Sequence, residues 1–382
     1  MSEEKLVPKL RFSGFDDEWN EVKLGDISTF LDNKRIPLKE DDRKQIKGEY
    51  PYYGASGIID YVNDYIFDEE LILMGEDGAN IVTRSSKLIF LAKGKYWVNN
   101  HAHVIKADNN INQYFLSESL ERINYEKYNT GTAQPKLNRE VCQKIKVKIP
   151  QFNEQNKIAN FLLVIDEKLR LLEQKYQYYQ NFKKYLMQQI FTQKLRFDDN
   201  CQYKTKQVKD FLIESKIEGI DDINKRLTVK LNLKGITVRE SKTIEIEGAT
   251  KQFIRKTGQF IYGKQNLHKG AFGIIPKELD GYLTSSDIPS FDFKEGIEPK
   301  WFYYYFARKS FYEKLENLST GTGSKRISPK EFLNIKIIVP EFKEQHKIVC
   351  LLEKFDEKIN GISNQIVQMN MFKKSLLQQM FV

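Results

Sequence analysis

The run TGTAQPKLNREVCQKIKVKIPQFNEQNKIANFLLVIDEKLRLLEQKYQYYQNFKKYLMQQIF, from Thr130 to Phe191, returns as TGTGSKRISPKEFLNIKIIVPEFKEQHKIVCLLEKFDEKINGISNQIVQMNMFKKSLLQQMF, from Thr320 to Phe381. The copies align at a constant offset without a gap, matching Pro150 with Pro340, Gln155 with Gln345, Asp166 with Asp356 and Phe182 with Phe372. A repeat of this length means one structural unit used twice. Apolar residues recur at alternating spacings of four and three: Ile158, Leu162, Ile165, Leu169, Leu172, Tyr176 and Tyr179, then Ile348, Leu352, Phe355, Ile359, Ile362, Ile366 and Met369. This heptad seam predicts helices that pack along one another. Both copies then slip by one residue, at Phe182 and Phe372, a shared stammer that overwinds a coiled coil. About 40 residues at ~1.5 Å each give a helix of roughly 60 Å. The seam is narrow and flanked by Lys, Glu and Gln, which favours a two-helix coiled coil over a helix sunk in one core. The simplest return path is antiparallel, with a globular domain at each end and a pseudo-twofold axis between them.

Outward from the repeat, residues 1–150 and 198–340 read as globular, and 151–197 and 341–382 as the helices. Strand-like runs in the first globular region are LILMG at 71–75, KLIFLA at 87–92 and KIKVKI at 144–149, punctuated by Gly and Asn, and INQYFLSESLERI at 111–123 has helical spacing. The second region has strand-like RLTVKLNL, KQFIRKTGQFIYG and FGIIP, and a helix in PKWFYYYFARKSFYEKLENL at 299–318. Consecutive aromatic residues cannot share one helix face, so most of Trp301 to Phe306 is expected in the core and not stacked on bases. The class is α/β (α+β): two globular domains and two long antiparallel helices.

The chain of 382 residues has a net charge of +9 and a pI near 9.0, which points to an anionic partner. Three scattered cysteines speak for a reducing compartment. With neither a signal-like start nor a membrane-length apolar run, the expectation is a soluble, cytoplasmic protein without membrane contact.

Signals for chemistry are weak. GQFIYGKQ at 258–265 nearly matches a phosphate-binding loop, but Gln265 stands where a Ser or Thr would hold magnesium. His101 and His103 lack companions at ligand spacing, so a surface or turn role is expected. Asp166, Glu173 and Lys175 have nuclease residue types but lie on the helix, where they read as a solvated face. The TGT turns are better candidates for binding. Thr130, Gly131, Thr132, Gln134 and Lys136, and Thr320, Gly321, Thr322, Ser324, Lys325 and Arg326, combine close backbone approach, hydrogen-bonding side chains and cations suited to phosphates and base edges.

The whole pattern resembles the specificity subunit of type I restriction-modification systems. The residues that carry the resemblance are EQNKIANFLLVIDEKL with FKKYLMQQIF, EQHKIVCLLEKFDEKI with FKKSLLQQMF, and the stretches PYYGASGIIDYV and YWVNNHAHV of the first domain. The resemblance implies two target recognition domains, each reading one half of an asymmetric split site in double-stranded DNA. In the first domain it adds Tyr53, Ser56 and His101 to the DNA-contact candidates. It implies a non-catalytic chain without cofactors, with S-adenosylmethionine, ATP and magnesium on partners: two adenine methyltransferase (modification) subunits, and restriction/translocase subunits in the full complex. The helices set the spacing and dock the modification subunits. Phe182, Leu186 and Gln189, with Phe372, Leu376 and Gln379, keep their letters beyond the stammer and are the docking candidates. Removing one heptad from each helix, such as 162–168 with 352–358, is expected to shorten the spacing by about 10 Å, or about three base pairs. The competing readings are an enzyme with an unrecognised active site and a coiled-coil adaptor that does not touch DNA.

Overall fold

A computed structural model describes residues 6–131, 134–240, 248, 250–319 and 326–382. By contacts the chain divides into two compact units, residues 1–172 with 365–382, and residues 173–364.

In the first unit, strands Ser28–Phe30, Ala102–Ala107, Leu71–Gly75 and Ile89–Ala92 form an antiparallel sheet in that order. Leu71–Gly75 is buried at every residue because both of its faces are covered. Ile72 and Met74 join the core around the helix Gln113–Glu121, whereas Leu71 and Leu73 join a smaller cluster with Phe67, Tyr96 and Val98. This double coverage explains a continuous apolar run where a one-faced strand would alternate. A second sheet pairs Gly57–Val62, Lys47–Gly54, Lys95–Val98 and Phe67–Asp68. Asn20–Lys23 pairs with Lys146–Ile149.

The second unit repeats this plan with little sequence identity. Leu212–Ser215, Ser290–Phe293, Phe260–Tyr262 and Phe272–Ile274 form a sheet of the same order, and Tyr203–Gln207 pairs with Lys336–Pro340. Trp301, Phe302, Tyr304, Tyr305 and Phe306 are buried, as expected of a row of aromatic rings too long for one helix face. The single helix expected over 299–318 is instead Pro299–Phe306, then Lys309–Tyr312, then a 3-10 stretch Glu313–Leu318. Arg308 makes the break. Its backbone is extended, and its guanidinium lies against the rings of Phe191, Tyr305 and Phe311 while donating to the Tyr305 carbonyl.

The long helices are Phe152–Phe191 and Phe342–Met380, the second continuous through Gly361. All fourteen seam residues are buried or half-buried. The chain directions are antiparallel: within the second unit Phe182 packs on Phe355, Tyr179 lies under Lys358, and further on Phe197 N–H donates to Glu344. Each helix starts in one unit and ends in the other. Thus Leu376, Met380 and Phe381 complete the core of the first unit, and Met187 and Ile190 that of the second.

The shared Glu-Gln pair at each helix start has a structural cause. Gln155 accepts the Asn112 N–H at 2.9 Å and donates to the Pro150 carbonyl at 2.9 Å; Gln345 accepts the Glu298 N–H at 2.8 Å and donates to the Pro340 carbonyl at 3.0 Å. Each glutamine therefore ties the strand-to-helix corner to the start of the domain helix.

Candidate nucleic-acid interface

The first turn is closed by its own side chains. Asn129 Oδ1 accepts the N–H groups of Gly131 and Lys136 at 3.0 and 2.8 Å, and Thr130 donates its N–H and hydroxyl to the Lys136 carbonyl at 2.8 and 3.1 Å. A Cβ on residue 131 would lie 1.8 Å from the Gln134 carbonyl oxygen, so only glycine fits. With their local bonds made inward, Thr130, Gln134 and Lys136 remain exposed.

This turn rests on the loop that follows Leu71–Gly75. Leu137 N–H donates to the Glu76 carbonyl at 2.8 Å, Gly78 N–H to the Pro135 carbonyl at 3.0 Å, and Lys136 Nζ lies 3.4 Å from Glu76. His101 pairs with Asp77 at 2.7 Å and is exposed. Ser56 is exposed in the adjoining hairpin tip, whose Ala55 carbonyl comes so near Gly75 that a Cβ there would meet it at 2.6 Å. Ser56, His101, Thr130, Gln134 and Lys136 therefore belong to three loops gathered at one end of the sheet. Tyr53 does not join them as a free ring: it is half-buried and stacked on Phe90 at 5.7 Å. Thr132 lies outside the described residues.

Beneath this surface is a buried charge network. His103 Nδ1 faces Asp32 at 2.7 Å, and Arg35 bonds Glu76 at 2.7 Å. Burial pulls the His103 pKa down, but hydrogen bonds to Asp32 and Cys142 outweigh it and push it up to about 10. The imidazolium and the Asp32 carboxylate thus anchor the floor of the loop cluster. Because the folded value exceeds the ordinary one, the stabilisation is fully present below about pH 6.5 and is lost as pH rises through about 10. The expected result is that His103→Gln lowers the melting temperature most near pH 6 and progressively less toward pH 10. A difference independent of pH would show that the imidazole is neutral.

In the second unit, Thr320, Gly321, Thr322, Ser324 and Lys325 lie outside the described residues. At the repeat position of Leu137, Ile327 N–H donates to the Lys264 carbonyl at 2.9 Å. Arg326 is exposed and pairs with Asp287 at 3.0 Å. Where the first unit has Glu76 beneath the turn, the second has Lys264, so the equivalent surfaces differ in charge.

The helix candidates divide. Phe372 is 49% exposed and Gln379 is exposed, while Phe182, Leu186 and Gln189 are half-buried, Phe182 against Phe355. Leu376 is 6% exposed in the first unit's core. Its side chain is therefore not available for docking, although its repeat mate Leu186 is half-buried. Asp166 is likewise not a solvated charge. It accepts from the Tyr114 hydroxyl at 2.6 Å and bonds Lys373 at 2.6 Å, and its repeat mate Asp356 accepts from Tyr304 at 2.5 Å and pairs with Lys183. Burial, then nearby carboxylate charge, raises the Tyr114 pKa, and burial, then its bond to Asp356, that of Tyr304; both stay protonated donors. Sequence reading missed these triads, although Tyr114/Tyr304, Asp166/Asp356 and Lys183/Lys373 all recur at the repeat offset.

The run at 258–265 is a turn and a short strand, Phe260–Tyr262, followed by a three-residue 3-10 turn, Leu267–Lys269, without the helix that a phosphate loop requires. Among the described residues no three or more His, Cys, Asp or Glu are grouped to hold a metal ion, and no helix is long and apolar enough to cross a membrane.

The family model of the type I restriction modification DNA specificity domain matches this chain twice, over residues 16–178 and 202–368. A putative type I restriction enzyme specificity subunit of Haemophilus influenzae is 25% identical over 382 residues, spanning 92% of this chain and 90% of the relative. The type I restriction enzyme MjaVIII specificity subunit of Methanocaldococcus jannaschii is 22% identical, spanning 94% of this chain and 91% of its own length. The crystal structure of a type I restriction-modification system S subunit from M. genitalium gives a TM-score of 0.65 at 14% identity, covering 98% of this chain and 99% of the other, a likeness of fold.

Proposed function

Because this chain belongs to the type I restriction-modification DNA specificity family, we propose that residues 1–150 and 198–340 each read one half of an asymmetric, bipartite site in double-stranded DNA. The observation that carries the reading is the family domain occurring twice, with Leu137 and Ile327, at equivalent repeat positions, each bonded to a residue just past the same strand of its sheet. Thr130, Gln134, Lys136, Ser56 and His101 form the first reader's contact surface, and Arg326 with the rest of the second TGT turn forms part of the second's. Unlike charges under the turns, Glu76 and Lys264, support unlike half-sites. Methylome sequencing of cells with and without the chain tests this: a split motif with two different halves should be modified only when the chain is present. An unchanged methylome would refute the assignment.

Catalysis belongs to partners in this proposal. The chain directs adenine methylation by modification subunits, which carry S-adenosylmethionine, and cleavage by restriction subunits, which carry ATP and magnesium. Phe372 and Gln379, with Phe182, Leu186 and Gln189, present related surfaces to two copies of one modification subunit. Native mass spectrometry should give two per chain at saturation, and one per chain would contradict that surface.

Phosphate contact has its own signature. Lys136→Ala and Arg326→Ala should each weaken duplex binding and reduce the slope of log affinity against log salt by about 0.9, one phosphate contact each. Unchanged slopes with intact folding would take both residues off the DNA.

A further inference from the structure

The second unit holds a cavity of about 520 Å³ whose lining includes Glu214, Lys216, Arg255, Lys264, Ser286 and Lys330. Arg255, on its inner wall, is 1% exposed. Its Nε donates to Thr284 Oγ1 at 2.6 Å, Nη1 to Ser290 Oγ at 2.7 Å and the Ser215 carbonyl at 3.3 Å, and Nη2 to the Ile288 carbonyl at 3.1 Å. All four acceptors are neutral. Glu214 acts on Arg255 only through space, and Lys216 holds that carboxylate at 3.0 Å. Burial pulls the guanidinium pKa down to about 10, which leaves it charged at neutral pH. A buried cation is ordinarily paired, since its desolvation costs several kcal/mol. Here the hydrogen bonds hold its plane in place without neutralising it. The half-buried Lys264 and exposed Lys330 bring two further cations to the same lining. The cavity also lies near Arg326, because the Lys264 carbonyl receives the N–H of the next residue, Ile327.

We propose that this cavity seats a phosphate of the DNA backbone, with Arg255 as its fixed inner cation and Lys264 and Lys330 closing on it from the mouth. The proposal rests on the DNA-reading assignment and extends it to a phosphate anchor that sets the second reader's register. Arg255 suits such a role as a fixed charge: four of its five N–H groups are held by neutral acceptors, so one Nη2 N–H and the cation's field remain, and a side chain already locked loses little freedom on binding.

The test uses the full chain and a mixed-sequence DNA duplex, with affinity read by fluorescence anisotropy over a salt series. Lys264→Ala with Lys330→Ala should lower the salt slope by about 0.9 with unchanged melting temperature. Ser286→Trp, at an exposed position on the lining, should fill the cavity and weaken binding while leaving Arg255 and its bonds in place. Arg255→Lys, if folded, should bind more weakly because an ammonium cannot make all four bonds that fix the charge in place. Wild-type affinity and slope in the lysine pair and in Ser286→Trp would overturn the anchor while leaving DNA reading intact. No duplex binding by the wild type would overturn both. Inorganic phosphate or ATP raising the melting temperature of the wild type but not of Ser286→Trp, with duplex binding alike in both, would assign the cavity to a soluble phosphate and overturn the backbone anchor.

Discussion

Replacing Lys373 by methionine is expected to destabilise the first unit by about 3 kcal/mol, the lower range for a buried ion pair deprived of one member. Lys373 is 9% exposed and its ammonium bonds Asp166 at 2.6 Å and Glu118 at 3.2 Å. Its removal takes the shared cation from Asp166 and from the buried Glu118, which keeps only the more distant Lys87 at 3.8 Å. Lys183→Met is the internal comparison. Lys183 meets Asp356 and the Tyr304 ring at 4.7 Å, and at the repeat position of Glu118 stands Arg308. With one carboxylate losing its cation instead of two, the loss in the second unit should be smaller. Hydrogen exchange read on the strands of each unit separates the effects. Equal losses, or a loss in Lys373→Met below about 1 kcal/mol, would mean that water solvates the stranded carboxylates.

Deleting residues 171–177 together with 362–368 is expected to abolish methylation at the native site and to create methylation at the same two half-sites set about three base pairs closer. The arithmetic is seven residues at ~1.5 Å against ~3.4 Å per base pair. The placement of the deletion comes from the structure. The heptads 162–168 and 352–358 contain Asp166 and Asp356, together with Leu162 and Leu352 from the domain cores, so removing them would damage the readers themselves. The segments chosen carry seam residues but none of the Tyr-Asp-Lys bonds. Methylation across an unchanged gap would show that the helices do not set the spacing, and deletion from one helix alone should abolish activity by breaking register.

The helices were legible because a heptad seam is a local property: every seam position found by spacing is buried or half-buried. The aromatic row at 301–306 was legible because consecutive rings cannot all be presented on one helix face. What spacing could not supply was partners far apart in sequence. Asp166 and Lys373 each look like an ordinary charge on a helix face until the chain returns to bring them together. Leu376 misled because beyond the stammer it leaves the seam, and a residue outside a seam reads as surface; here it enters a domain core. Arg308 broke the expected helix over 299–318 through ring contacts that include Phe191, which no local pattern contains. In the candidate interface the turns were visible as repeated letters, but Arg255 stands in an unremarkable strand-like run, and only the neutral character of its acceptors singles it out.

The exchange of helix ends sets a timetable for folding. The first unit includes residues 365–382, which are synthesised after everything in the second unit. At roughly 5–20 residues per second, the ribosome makes the intervening stretch in roughly 10–40 s. Throughout that interval the first unit lacks Leu376, Met380 and Phe381, so Trp19, which meets Phe381 edge-to-face in the finished protein, and Phe115, which stacks on it, have no ring to close against. The domain that begins first therefore finishes last, and a nascent chain stalled before residue 376 carries an unsealed apolar core for chaperones and proteases to find.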